Sequence, residues 1–497
     1  MRRLIPALIL CCAATPVFAQ TTAIEQYVRA HQSAIVKEFL ELVRIPNVRT
    51  DLPNIRRNAE LLRQMLDRRG LKPEIWDTPS TPMVFGERLA PGATKTILFY
   101  IHFDGQAVDP TRWKQPDPFT PVLRTASLEE GGVEVKDVAA QTTFPDEWRI
   151  YARSAGDDKG PIQAFVSALD ALGPTPTHNI KVILHGEEEG GGAALGSVIA
   201  AHGDRLRSDL LVILDGPQHA SGKPTVYYGA RGGAGLEVTV YTAKSAMHSG
   251  NYGNWLPDAN VRLSQLLASM VSPTGRVVIP GFYDDVKPFT AEETAMMKAV
   301  PDDTARMKQM YGLGSTDGAA ASLQEGLNLP ALSVHTMKGG EVGGVIAASA
   351  TAEIALRLVK ENAPRQMVDR VVAHIRNQGY FIVDREPDLA TLAAHPRIAR
   401  VTTRANATSG AWRTDPSHPS TRLVTDALAK KYGAGGFVRI RTLGGGVPAD
   451  PFIAAFQVPT VGVSLANFDD NQHTDDENLR LGHLWNGIAT LAAIMTR

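Results

Sequence analysis

The chain has 497 residues, 43% of them hydrophobic and 21% charged, and its 51 Lys and Arg against 52 Asp and Glu leave a formal net charge of −1. That length and apolar share can bury a large core and support more than one domain. The even charge balance excludes a polycation built to grip nucleic acid and an acidic interaction tail, so partners are to be sought in local sites, where a small neutral or zwitterionic substrate suits the balance.

In chain order, Met1-Arg2-Arg3, the apolar run from Leu4 to Ala14 and Val17-Phe18-Ala19 form the basic, apolar and small-residue regions of a secretory signal peptide, expected to be cut after Ala19. The expected destination is the periplasm or the medium. No run reaches the roughly 20 apolar residues of a membrane span, so no membrane partner is expected. Cys11 and Cys12 both lie in the signal. The expected mature chain therefore has neither a disulfide framework nor thiol chemistry, and any metal must be held by His, Asp and Glu.

Two helices, 23–43 and 54–69, open the mature chain on either side of Arg44-Ile45-Pro46-Asn47. Strands at 96–101, 148–152, 180–184 and 210–214 then alternate with helices at 161–172 and 193–202, the pattern of an α/β domain with a mostly parallel sheet. Next come strands 225–228 and 235–242, a helix at 259–270, a polar helical stretch at 291–312, strands 331–335 and 352–359, a helix at 365–378 and a strand at 380–384, which read as an inserted α+β domain. The first pattern resumes with helix 420–431, strands 438–442 and 460–465 and a closing helix 478–496. The expected organisation is a signal at 1–19, a discontinuous catalytic domain at 20–222 and 401–497, and a lid or dimerisation domain at 223–400. Residues 128–146, rich in Glu, Gly and Thr, read as a surface insertion.

In open sheets of this kind ligands bind beyond the carboxyl ends of the strands. There the sequence places His102-Phe103-Asp104, Asp157-Asp158-Lys159-Gly160, Gly186-Glu187-Glu188-Glu189-Gly190, Asp215 and the late His473. Adjacent carboxylates repel, so a cation is expected among them. Zinc and similar ions take His nitrogen and carboxylate oxygen, and a pair of ions needs a carboxylate to bridge them, for which Asp157 is the candidate. Of the three glutamates, one can ligate while its neighbour moves a proton.

In order and spacing, these five motifs resemble the dizinc exopeptidases of metallopeptidase family 20, whose carnosinase-like dipeptidase branch is the most similar. The resemblance covers nearly the whole mature chain. It implies His102 and Asp215 on one zinc, Glu189 and His473 on the other, and Asp157 bridging both, with manganese or cobalt as alternative ions. It further implies Asp104 as the carboxylate orienting His102, Glu188 as general base and acid, and a cis peptide bond after Asp157. Ser245-Ala246-Met247-His248-Ser249-Gly250 resembles the family segment whose histidine reaches the substrate carbonyl, often from a partner subunit. Ala355-Leu356-Arg357-Leu358-Val359 resembles the strand whose arginine binds the substrate carboxylate, and Gly444-Gly445-Gly446-Val447-Pro448 the glycine loop beside the substrate. The implied substrates are dipeptides or N-acyl amino acids, and the implied assembly is a homodimer through the lid. Two features depart from the family: Ala152-Arg153-Ser154 stands where Gly-Arg-Gly is common, and the segment 109–146 is longer than usual.

Each residue alone has a plainer reading. A glutamate run is usually a solvated face, and strand-end aspartates usually cap helices. His335 reads as structural. Two other functions compete: a serine hydrolase using Ser154, since Ala152-Arg153-Ser154-Ala155-Gly156 approaches a nucleophile elbow, and an exported solute-binding protein that uses the charged cleft without turnover.

Overall fold

The computed structural model describes residues 17–173, 176–191, 193–318, 320–340 and 343–496, with backbone alone for 17–22, 193 and 404–408. Residues 1–16 of the expected signal, both cysteines among them, and Gly192 lie outside the described residues.

The first helix, Val17–Val43, buries Val28, Ile35, Val36, Phe39, Leu42 and Val43, three and four residues apart and therefore on one stripe. The second, Leu52–Asp67, starts where the Asp51 side chain accepts from the Asn54 amide, and it buries Ile55, Ala59, Leu62 and Leu66. With helices Lys159–Leu172, Arg422–Tyr432 and Leu481–Met495 they form one hydrophobic layer against an eight-stranded sheet, and Ala193–Leu206 and Asp450–Phe456 pack in the layer on its other side. Across that sheet the strands run Glu74–Trp76, Met83–Arg88, Asn179–His185, Thr96–His102, Leu210–Ile213, Thr460–Ser464, Thr225–Tyr227 and Val438–Ile440.

The centre of the sheet is parallel: Thr96–His102 lies between Asn179–His185 and Leu210–Ile213, with His102 opposite His185 and Tyr100 opposite Ile213. These strands are covered on both faces and read as nearly unbroken apolar runs. Because their register is level, the residues that follow each strand emerge side by side along one edge.

A second, five-stranded sheet has the order Ala331–Gly339, Ser349–Leu358, Gly232–Tyr241, Ile398–Ser409, Phe381–Val383. Helices Ala259–Ala268 and Pro364–Asn377 cover one face, onto which Ser349–Leu358 turns Ala350, Ala352, Ile354, Leu356 and Leu358. The alternation leaves Glu353, Ala355 and Arg357 on the open face.

Several elements differ from expectation. Strand 398–409 was not foreseen, because Ile398, Ala399 and Val401 are its only strongly apolar residues before 405; pairing with Gly232–Tyr241 creates it, and it carries the second sheet past position 400. The expected strand at 148–152 is Arg149–Tyr151, which stands outside the main sheet in a small sheet with Val122–Arg124 and Asn478–Arg480. Since 478–480 is strand, the closing helix begins at Leu481. The stretch 291–312 is two helices, Ala291–Ala299 and Thr304–Tyr311, parted at Val300-Pro301, where a residue preceding proline disfavours the helical conformation. The insertion at 128–146 is anchored to the first helix by paired hydrogen bonds between Gln32 and the Phe144 backbone.

Candidate metal centre

Ligand atoms of His102, Asp157 and Asp215 lie within 4.8 Å of one another, and so do those of Asp157, Glu189 and His473. Asp157 belongs to both groups. Its Oδ1 is 2.9 Å from His102 Nε2 and its Oδ2 is 3.1 Å from His473 Nε2, while Glu189 Oε2 lies 3.3 Å from the same His473 nitrogen. The five residues named from the sequence therefore converge from five segments, a strand end at His102 and four loops.

Each is held by neighbours. His102 ends its strand, and its Nδ1 faces the carbonyl oxygen of Asp104 at 3.1 Å; with Nδ1 as donor, Nε2 is left free as a ligand atom. The Asp104 carboxylate stands 3.5 Å from that nitrogen and is also engaged elsewhere, accepting the backbone amides of Glu188 at 2.9 Å and Glu189 at 3.1 Å. Asp104 thus faces His102 with both its carbonyl and its carboxylate and also fixes the glutamate turn through its side chain. Gln106 donates to Glu189 Oε2 at 2.7 Å, and Gln472 to Asp157 Oδ2 at 3.3 Å. The Asp157-Asp158 peptide bond is cis, as the resemblance implied. Buried Asp158 accepts from the His102 amide at 3.2 Å.

Sequence reading missed Glu477. Its buried carboxylate accepts the amides of Ser154, Gly156 and Asp157 at 2.9 to 3.0 Å and pairs with Arg153 at 2.7 Å, while Arg153 also donates to the carbonyl of Thr474. The aspartate loop and the histidine loop are locked together by this pair. Its signal in the sequence was only one more acid in the run from Asp469, which reads as a solvated loop.

The electrostatics explain why a cation belongs here. Burial, reinforced by Asp157, pushes the Glu189 carboxyl up to about 8, and burial raises that of Asp215 to about 6. Burial also drives Glu188 well above the carboxylate range. Hydrogen bonding to Asp157 lifts His473 to about 9, and the hydrogen bonds from His102 and His473 overcome burial at Asp157 and hold it below its ordinary value. Without a cation the cluster keeps protons that exposed carboxylates would shed at neutral pH. A donor set of two imidazoles and three carboxylates, of which Glu189 and Asp215 are raised above their ordinary values by burial, fits a pair of divalent ions.

The cluster opens onto a cavity of about 730 Å³. Asp157, Glu188, Asp215 and His473 line it together with Arg357, Gly444, Gly445 and Gly446, which the second sheet and the glycine loop provide. His335, read from sequence as structural, lines it too, at a bulge between Val334 and Thr336 that turns it out of the ladder register. His248 is not brought there within this chain: it is exposed at the end of the short strand Met247–His248, and its Nδ1 accepts the Gly250 amide at 3.1 Å. Ser154 is not brought there either. Its hydroxyl is fully buried and accepts from Asn47 Nδ2 at 2.9 Å, leaving no path to a substrate, so the serine-nucleophile reading fails on geometry.

Residues 98–497 match the profile of peptidase family M20/M25/M40. The Cys-Gly metallodipeptidase of Schizosaccharomyces pombe is 26% identical over 426 residues, 83% of this chain and 82% of that protein. The human Beta-Ala-His dipeptidase is 29% identical over 76% of each chain. Among solved structures, human carnosine dipeptidase 1 superposes with a TM-score of 0.73 at 24% identity, covering 96% of this chain and 98% of that one. An M20 family metallo-carboxypeptidase from Sulfolobus solfataricus gives 0.74 at 22% identity, covering 93% and 98%. Both show the same fold.

Proposed function

The chain belongs to peptidase family M20/M25/M40 and is a metal-dependent hydrolytic enzyme, and on that premise we propose that it is an exported dizinc dipeptidase cleaving an amide bond next to a free carboxylate. The observation that carries this reading is that two donor triads meet on Asp157, with Glu188 beside them on the cavity wall. His102 and Asp215 would hold one ion, Glu189 and His473 the other, and Asp157 both. Such a pair of ions supplies an activated water and a Lewis acid for the scissile carbonyl.

The remaining chemistry falls to side chains. Glu188, half-buried and outside both triads, takes the proton of the attacking water and delivers it to the leaving amine. Desolvation raises its carboxyl well above the ordinary carboxylate range, which strengthens it as a proton acceptor. Arg357, a planar fork on the open sheet face, and the amides of the glycine loop grip the substrate carboxylate. His248, which this chain does not bring to its own cavity, would stabilise the oxyanion from a partner subunit across a dimer of lids.

A solute-binding protein would have no need of an unligated acid beside the donors. Screening metal-loaded protein against dipeptides and N-acyl amino acids, with a chelator control, tests the assignment and separates peptidase from deacylase; no turnover of either class would overturn it. Export is tested by the N-terminal residue of the mature protein, expected to be Gln20.

A further inference from the structure

The glycine loop that lines the cavity is gripped from two sides by residues outside the metal-donor set. On one side stands Arg231. Its backbone N–H lies 3.3 Å from the Leu443 carbonyl and 3.2 Å from that of Gly445, and its guanidinium donates to the Leu329 carbonyl at 2.7 Å. On the other side stands Asn328, which is 1% exposed. Its Oδ1 accepts from Thr442 Oγ1 at 2.7 Å and from the Arg441 guanidinium, and its Nδ2 donates to the Gln324 carbonyl at 2.8 Å. Arg441 is itself fixed by Glu293 at 2.9 Å.

Thr442 and Arg441 directly precede the loop, and Leu327, next to Asn328, packs on it so closely that a Cβ at Gly444 would sit 3.0 Å from the leucine methyl. A single buried amide thus ties the segment before strand Ala331–Gly339 to the root of the loop. Buried donors left without an acceptor are costly, so the loop has one low-energy placement while Asn328 is present.

We propose that Asn328 is a positioning residue that sets the glycine loop against the substrate. This rests on the proposed function only where it concerns substrate. Loss of the amide oxygen should loosen the loop and weaken binding while the metal donors and Glu188 stay intact.

The test uses full-length, metal-loaded protein and three variants. In Asn328→Ala, KM for the best dipeptide should rise about tenfold, as loss of roughly one good hydrogen bond implies; kcat should stay within about threefold, and metal content should be unchanged. Asn328→Asp keeps an acceptor oxygen facing Arg441 and Thr442 but loses the donor to the Gln324 carbonyl, and should restore part of the affinity. Should the alanine variant fail to fold, Thr442→Val, which removes only one of the two donors, should show the same change to a smaller degree. Amide hydrogen exchange at Leu443, bonded to the Gly229 carbonyl, and at Arg231, bonded to the loop carbonyls, provides a readout that needs no substrate: it should quicken in Asn328→Ala and Thr442→Val and quicken less in Asn328→Asp. Unchanged exchange at Leu443 and Arg231, or a variant whose kcat and metal content fall while KM holds, would overturn the proposal. A wild type that cleaves nothing, yet shows the exchange pattern, would overturn the assigned function and leave the positioning role standing.

Discussion

The carboxyl edge of the eight-stranded sheet and the open face of the five-stranded one wall the same cavity, but they bring chemistry to it in opposite ways. At the edge, level parallel register brings His102, the glutamate turn and Asp215 together, and burial raises the carboxyls of Glu188, Glu189 and Asp215 so that a cation can displace their protons. On the open face, Arg357 is exposed and acts only by reach. The edge is therefore a site built by desolvation, which side chains cannot leave without loss of the cluster; the face is built by alternation, where a residue can be exchanged with little effect on the fold. Function divides along the same line, with bond breaking assigned to the edge and substrate selection to the face.

That division can be broken by four measurements. The largest effect is expected at the edge: Glu188→Ala should lower kcat by about 10² to 10⁴, the range for a positioned general base, with metal content intact. Wild-type turnover in that variant would remove Glu188 from the chemistry. Next comes the inserted domain. His248→Ala should lower kcat by about 10² to 10³ if it supplies an oxyanion donor, and mixing it with an inactive Glu188→Ala subunit should restore part of the activity, because the histidine would then serve a neighbour. No restoration in a mixed dimer would argue against sharing.

A smaller and different effect is expected on the face. Arg357→Ala should raise KM by about 10- to 100-fold, the worth of a charged hydrogen bond, with kcat nearly unchanged; a fall in kcat alone would place it among the reacting groups. The smallest effect concerns pH. In metal-free protein, Glu189 at about 8 and His473 at about 9 are both raised above the ordinary values of 4.5 and 6.5. The folded state then binds more protons than the unfolded one, so this stability is complete below those ordinary values and is lost as pH climbs through 8 and 9. Chelated protein should lose about a few degrees of Tm between pH 6 and 9, and saturating divalent metal should flatten the trend by displacing the protons. A chelated protein whose Tm rises over that range would contradict the electrostatics described for the cluster.

Residues at strand ends were the most legible part of the chain. The motifs around His102, Asp157, Glu189, Asp215 and His473 stood out by their place near strand ends, and the resemblance implied which residue of each would ligate. Arg357 and the glycine loop were legible only by resemblance, and strand 398–409 was not legible at all, since its few apolar residues form a strand only when a neighbour offers a ladder. Glu477 looked like one more acid in a loop.

The sequence by itself determined which groups could do chemistry: apolar periodicity positions the strands, and the strands position whatever follows them. Tertiary structure alone decided how those groups are occupied. Asp104 shares its carboxylate with the glutamate turn, Ser154 is sealed behind Asn47, His335 is bulged into the cavity and His248 is turned away from it. Such outcomes depend on distances between segments tens to hundreds of residues apart, where burial and competition for hydrogen bonds select one partner among several that composition and spacing leave equivalent.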